Sequence, residues 1–348
     1  MIRFVVCKWG KLKMSNWQRK KYKWKIKHVR EGNEKKNKKT YYSVDKKQIS
    51  TPNRYVAPEI FSLQDNTEET MCFFRKIVDD MNYKIINQSF FIDSSKVVKV
   101  TVDALIYLIA LMKNAKLSKG LNYRFRGNFP VNEDALKVYQ ESGFMEFVKS
   151  NLTTIPQNSE KFKIITHHLN RPELSKKVCE FAMDKLGMTR VETSDLQRIF
   201  IELMSNVVFH AYNDTSGMKK SWYLYAEHIN NYIKIVFVDT GLGIAETVRK
   251  NQYEKMIRLL GIGAKDGVLM KSAFEGKFRT KTEEKHRGNG LKYVRDRAVN
   301  GLFRNFKVIS GKGQCWIDKK NNLNGKIKER VFNESIWGTI YTFDFGHF

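Results

Sequence analysis

An α/β protein is expected, because helical and strand periodicities alternate from about Pro58 onward and glycine-bearing turns stand where strands hand over to helices. Composition agrees: 42% of residues are hydrophobic and 13% aromatic, more than a mostly disordered chain carries. The 348 residues leave room for two ordinary domains and an extension. No apolar run approaches the roughly 20 residues a bilayer-spanning helix needs. The opening Met1–Cys7 is a poor secretory leader, since its apolar stretch stops at Lys8. Cys7, Cys72, Cys179 and Cys315 are far apart and form no CxxC pair, which points to neither a zinc site nor a disulfide framework. A cytoplasmic address with no membrane partner is the simplest expectation.

Residues 1–57 are the most basic part of the chain. Lys21-Tyr22-Lys23-Trp24-Lys25-Ile26-Lys27-His28-Val29 alternates strictly, as a strand does, with Tyr22, Trp24 and Ile26 on one face and four lysines on the other. After Glu31-Gly32-Asn33, Thr40–Val44 could return as a second strand. Met14 is an alternative true start, which would make the residues before it uninformative. Aromatics between lysines can stack bases and neutralise phosphates. A small hairpin packed on its neighbour, or a tail, has the same pattern. The whole chain carries 63 Lys and Arg against 36 Asp and Glu, a net charge of +27. That excess invites a polyanion such as nucleic acid, although a lysine-rich proteome produces it as well.

Residues 58–150 read as a small α/β domain. Glu68–Asn82 is an amphipathic helix with Met71, Phe74, Ile77, Val78 and Met81 inward, and Ser89–Asp93 is a buried strand. Val102–Ala115 is a strongly apolar helix, Asn122–Gly127 a further strand, and Asn132–Ser142 a helix closing at Gly143. The order of these elements resembles the STAS domains of anti-sigma-factor antagonists. Asp93-Ser94-Ser95 looks like the phosphoserine triplet of that family. Here, however, it ends a strand instead of opening the apolar helix, and the matching position falls near Val102 or Asp103. Phosphorylation is therefore not implied. Residues 151–161 are polar around Pro156 and serve as a linker.

The last segment, 162–348, holds the chemistry. Ser194–Tyr212 is a helix by pattern, and Glu202, Asn206 and His210 stand four residues apart along one face. A polar line on an apolar helix is costly to bury unless something satisfies it. Two strands follow, Ser221–Glu227 and Tyr232–Val238. The second runs into Asp239-Thr240-Gly241-Leu242-Gly243-Ile244, where a strand-end carboxylate can accept from an exocyclic amine and glycines let backbone come close to a ligand. Arg287-Gly288-Asn289-Gly290-Leu291 opens the helix Lys292–Val299, whose first N–H groups suit phosphate. Gly338-Thr339 precedes the closing strand Ile340–Phe345.

Taken in order, ExxxNxxxHA, DxGxGI, GxGL and GT resemble the ATP site of the GHKL superfamily of gyrases, large heat-shock chaperones, histidine kinases and MutL proteins. His210-Ala211-Tyr212 is most similar to the anti-sigma serine kinases. The resemblance implies a Bergerat-type sandwich, a mixed sheet with helices on one face. It implies ATP with Mg²⁺ on Asn206, Glu202 as general base, and Asp239 reading adenine with Thr339 in support. Gly241, Gly243 and Ile244 would shape the adenine pocket, and Arg287, Gly288, Asn289, Gly290 and Leu291 the phosphate cradle. His210 would pack beside the site or bond to the lid. Lys265–Arg287 would be that lid, with Lys277, Arg279, Lys281 and Arg287 offered to phosphate. His167-His168-Leu169-Asn170-Arg171-Pro172 looks like a histidine-kinase phosphoacceptor box but stands too near Glu202 for a dimerising hairpin. Three functions remain open on these grounds: an ATP-driven switch controlling a protein partner, a serine/threonine kinase, and an ATP-regulated nucleic-acid binder. A homodimer is expected from the superfamily.

Overall fold

The computed structural model describes residues 52–82, 88–117, 123–148, 158–209, 221–278, 290–318 and 325–348. The expected basic hairpin lies outside them, as do residues 151–157 of the linker. The described residues belong to one compact unit that begins at Val44.

Strands β1 (Asn53–Val56), β3 (Ser89–Asp93) and β5 (Arg124–Gly127) form a parallel sheet in the order β1-β3-β5, and β2 (Ile60–Phe61) pairs in parallel with β4 (Lys99–Val100). Helices α1 (Thr67–Asn82), α2 (Val102–Leu117) and α3 (Glu133–Glu141) connect them. Asn132 caps α3 by accepting from the Ala135 amide at 2.9 Å, which satisfies one of the donors a helix start leaves free. A 3-10 turn, Phe144–Phe147, ends this half. It enters from Gly143 at φ +88°, a conformation glycine adopts without strain.

Strands β6 (Lys161–His167), β7 (Trp222–Ile229), β8 (Tyr232–Asp239), β9 (Phe303–Asp318) and β10 (Lys326–Gly346) make a five-stranded sheet in the order β6-β7-β8-β10-β9. Every neighbouring pair in it is antiparallel. The expected mixed sheet is thus corrected: β7 and β8 join through a tight Asn230–Asn231 turn, and β10 runs back against both β8 and β9. Helices α4 (Pro172–Leu186), α5 (Ser194–Phe209), α6 (Ile244–Asn251), α7 (Tyr253–Leu260), α8 (Asp266–Phe274) and α9 (Gly290–Val299) complete the chain. None of the described helices is long and apolar enough to cross a membrane.

The sheet is buried on both sides. Along β7, Trp222, Leu224 and Ala226 join the core under α5, α8 and α9, while Tyr223 and Tyr225 join the core built by α1 and α2. Along β8, Ile235 and Phe237 face the first core, and Val236 and Val238 face the second. This explains why both strands read as unbroken apolar runs instead of alternating ones. The two halves of the described chain therefore share a core through this sheet. Ion pairs join them as well: Lys161 Nζ lies 2.6 Å from Glu141, and Lys163 Nζ lies 3.0 Å from Glu146.

Candidate functional site

Helix α5 buries Leu196, Ile199, Phe200, Leu203, Met204 and Val207 against the sheet. That fixes its rotation and leaves Glu202 and Asn206 half-buried on its flank. The start of α9 crosses this flank. A Cβ at Gly290 would stand 2.5 Å from Glu202 Oε2 and 3.6 Å from its Cβ, so glycine is what lets the carboxylate come this close to a helix N-terminus. Burial raises the Glu202 pKa, opposed by the nearby Arg198 charge. Arg198 in turn stacks over the Tyr293 ring of α9 at 4.0 Å. One turn beyond Glu202, Asn206 Nδ2 is buried with no hydrogen-bond partner. An orphaned amide costs about 1–3 kcal/mol, and a half-turn about χ2 presents its oxygen to the same space.

The second cluster closes the end of β8. Asp239 and Thr339 are register partners, and both project to the helix-covered face, two residues from Phe237 and Tyr341 respectively. Asp239 is only 5% exposed. Its Oδ1 accepts from the Gly241 amide at 2.8 Å, and its carboxylate also accepts from the Thr339 hydroxyl. Burial outweighs both bonds and pushes its pKa up to about 7. A buried carboxylate with two neutral donors still has room to accept from a ligand N–H.

Gly243, at φ +80°, has no space for a side chain: a Cβ there would stand 2.7 Å from Ser310 Oγ. Ser310, fully buried on β9, ties the cluster together. It accepts from the Ile244 amide at 2.8 Å, donates to the Gly338 carbonyl at 2.9 Å and stands 3.2 Å from Thr339 Oγ1.

Among the residues expected at the site, Asp239, Gly241, Gly243, Ile244 and Thr339 meet at one end of the sheet, and Glu202 meets Gly290 where α5 crosses α9. Ile244 is core, 9% exposed at the first turn of α6, and Leu291 packs against the same core. His210, Arg287, Gly288 and Asn289 lie outside the described residues, as do Arg279 and Lys281. The expected lid is partly overturned. Its first third is α8, where Leu269, Met270 and Phe274 are fully buried, so this part of the expected lid is core. Lys277, the described member of the expected phosphate contacts, pairs with Glu275 at 2.6 Å.

Sequence reasoning missed Ser310. Its signal was slight: a hydroxyl followed by glycine inside the otherwise apolar Val308-Ile309-Ser310-Gly311. No protein-family model matches this chain, and no curated protein matches it either.

Proposed function

We propose that this chain binds ATP with Mg²⁺ in a GHKL-like site and hydrolyses it as a switch that controls a protein partner. The observation that carries the reading is Asp239. A carboxylate this deeply buried, held by Gly241 and Thr339 and facing no cation among the described residues, is expensive unless a donor such as the adenine amine repays it. The residues present fit the rest of the ligand. The unpartnered Asn206 amide suits a cation that takes few protein ligands and draws the others from phosphate and water. The glycine start of α9 suits phosphate. Mg²⁺ would neutralise phosphate charge there.

Glu202 then stands as the base that orients or deprotonates the attacking oxygen, and its burial makes it a stronger one. With water as the nucleophile the outcome is hydrolysis; with a protein hydroxyl it is a serine/threonine kinase. The half of the chain that resembles a STAS domain is a natural relay to a partner. Nucleic acid, by contrast, rests only on net charge and the basic arm.

The test is ATP binding and turnover with and without Mg²⁺. Asn206→Ala is expected to weaken Mg-dependent binding about tenfold or more, the loss of one good ligand. Glu202→Ala should bind ATP within about threefold of wild type and turn over roughly 100-fold more slowly. Wild-type protein that shows no ATP binding at either Mg²⁺ level would end the proposal. Binding without turnover would move it to the kinase.

Gly290→Ala separates the base from the fold. The added methyl must push the Glu202 carboxylate aside, while alanine in place of glycine favours the helix by up to about 1 kcal/mol. Turnover is expected to fall about tenfold or more with an unfolding midpoint equal to or above wild type. Unchanged turnover would remove Glu202 from the reacting position.

A further inference from the structure

Resting on that reading of the site, we propose that Tyr107 is a positioning residue for the Asp239–Thr339 pair. It acts from the opposite face of the sheet through the backbone of Trp337.

Strand β10 is irregular where it reaches the site. Ile336 pairs with Gly311 and Thr339 with Ser310, so Trp337 and Gly338 have no opposite residues on β9. Pairing with β8 starts only at Thr339. The backbone groups of such a bulge need partners from outside the ladder. For Trp337 a single hydroxyl supplies both: its amide donates to Tyr107 Oη at 2.7 Å, and its carbonyl accepts from Tyr107 Oη at 3.1 Å. Tyr107 itself is fully buried, edge-on to Phe74 with ring centroids 4.7 Å apart. The hydroxyl cannot shift unless α1 and α2 move.

The same helices grip the approach to the bulge. Phe332 and Ile336 are part of their core, and Arg75 Nη1 donates to Ser335 Oγ at 3.1 Å. On the far side of the bulge, the Gly338 carbonyl accepts from Ser310, and Thr339 holds Asp239. Three residues, Trp337 to Thr339, thus link a hydroxyl in the N-terminal half to the carboxylate expected to read the base. A displacement at Trp337 has no slack in which to dissipate, since a Cβ at Gly338 would already overlap the Asp239 carbonyl.

The experiment is ATP and GTP affinity in the wild type, Tyr107→Phe and Ile92→Val. Tyr107→Phe keeps the ring and loses both bonds, and is expected to weaken ATP binding about 5–20-fold and lower the ATP-over-GTP preference by a similar factor. Amide hydrogens of Thr339 and Ile340 should exchange faster in it without nucleotide. Ile92→Val trims the core of the three-stranded sheet, so it should lower the unfolding midpoint and leave the preference intact. If Tyr107→Phe does not fold, Arg75→Gln takes its place and should shift the preference the same way by about twofold. An unchanged preference in Tyr107→Phe, or an equal loss in Ile92→Val, overturns the inference alone. No ATP binding by the wild type overturns the nucleotide reading with it.

Discussion

Asp239→Asn is expected to lose ATP by about 100-fold or more and yet make the nucleotide-free protein more stable at pH 8. The first effect follows from chemistry: a site built around an acceptor rejects its ligand strongly once the acceptor weakens and an unpaired donor faces the amine. The second follows from linkage. Burial raises the Asp239 pKa from an ordinary 3.8 to about 7. A carboxyl group raised in this way lends the fold stability that is fully present below pH 4 and is lost as pH climbs through about 7. Ionised at pH 8, it costs about 4 kcal/mol relative to the unfolded chain. Asparagine keeps the shape and the acceptor for the Gly241 amide, and carries no charge to desolvate. Urea unfolding at pH 5 and pH 8 is the measurement. The variant should gain on wild type between the two values, and ATP affinity of the wild type should fall as pH drops below about 7. A variant that loses stability at pH 8, or that still binds ATP normally, would show that Asp239 is a structural acid and no part of a ligand site.

Gly338→Ala is expected to destabilise the protein by about 4 kcal/mol or more, a large share of the roughly 5–15 kcal/mol that holds a domain together. Two causes add. At φ +76° any side chain is strained. The new methyl would also overlap the Asp239 carbonyl and stand 2.6 Å from Thr240 Cα, and both of these are backbone that cannot swing away. Gly187 is the contrast: its φ is +65°, but nothing lies within 4 Å of its missing Cβ. Gly187→Ala should therefore cost only the local strain, about 1–2 kcal/mol. Chemical denaturation of the two variants side by side checks this. Equal losses would mean that the crowding at Gly338 relaxes freely and the bulge is not a fixed part of the site.

Much of this protein was open to inspection one segment at a time. The expected strand Ser89–Asp93 matches β3 residue for residue. The expected helices beginning at Glu68, Val102, Asn132 and Ser194 lie within one residue of the observed starts. Those are segments where apolar spacing, a cap or a glycine speaks locally. The two carboxylates and the glycines around them were also visible, because glycine at a strand end or helix start is unusual enough to notice without any neighbour. Strand β6, strand β9 and helices α4, α6 and α7 were not expected. Helices α6 and α7 are only 8 residues each, about two turns and too short for periodicity to stand out, and α8 falls within the expected lid although its Leu269, Met270 and Phe274 are core.

Local order of elements, the polar line on α5 and the strand-end Asp239 thus come from residues a few positions apart, where periodicity and backbone freedom leave a trace in the chain itself. The antiparallel sheet order, the burial of its second face, the Ser310 tie and the Tyr107–Trp337 bond have no such trace. Tyr107 and Trp337 are 230 residues apart, and Ser310 lies 66 residues from Ile244. A hydroxyl in an apolar run looks the same whether it meets a bulge or a void. Which of these it meets is set by how two buried faces close on one sheet, and that closure is a property of packing across the whole core.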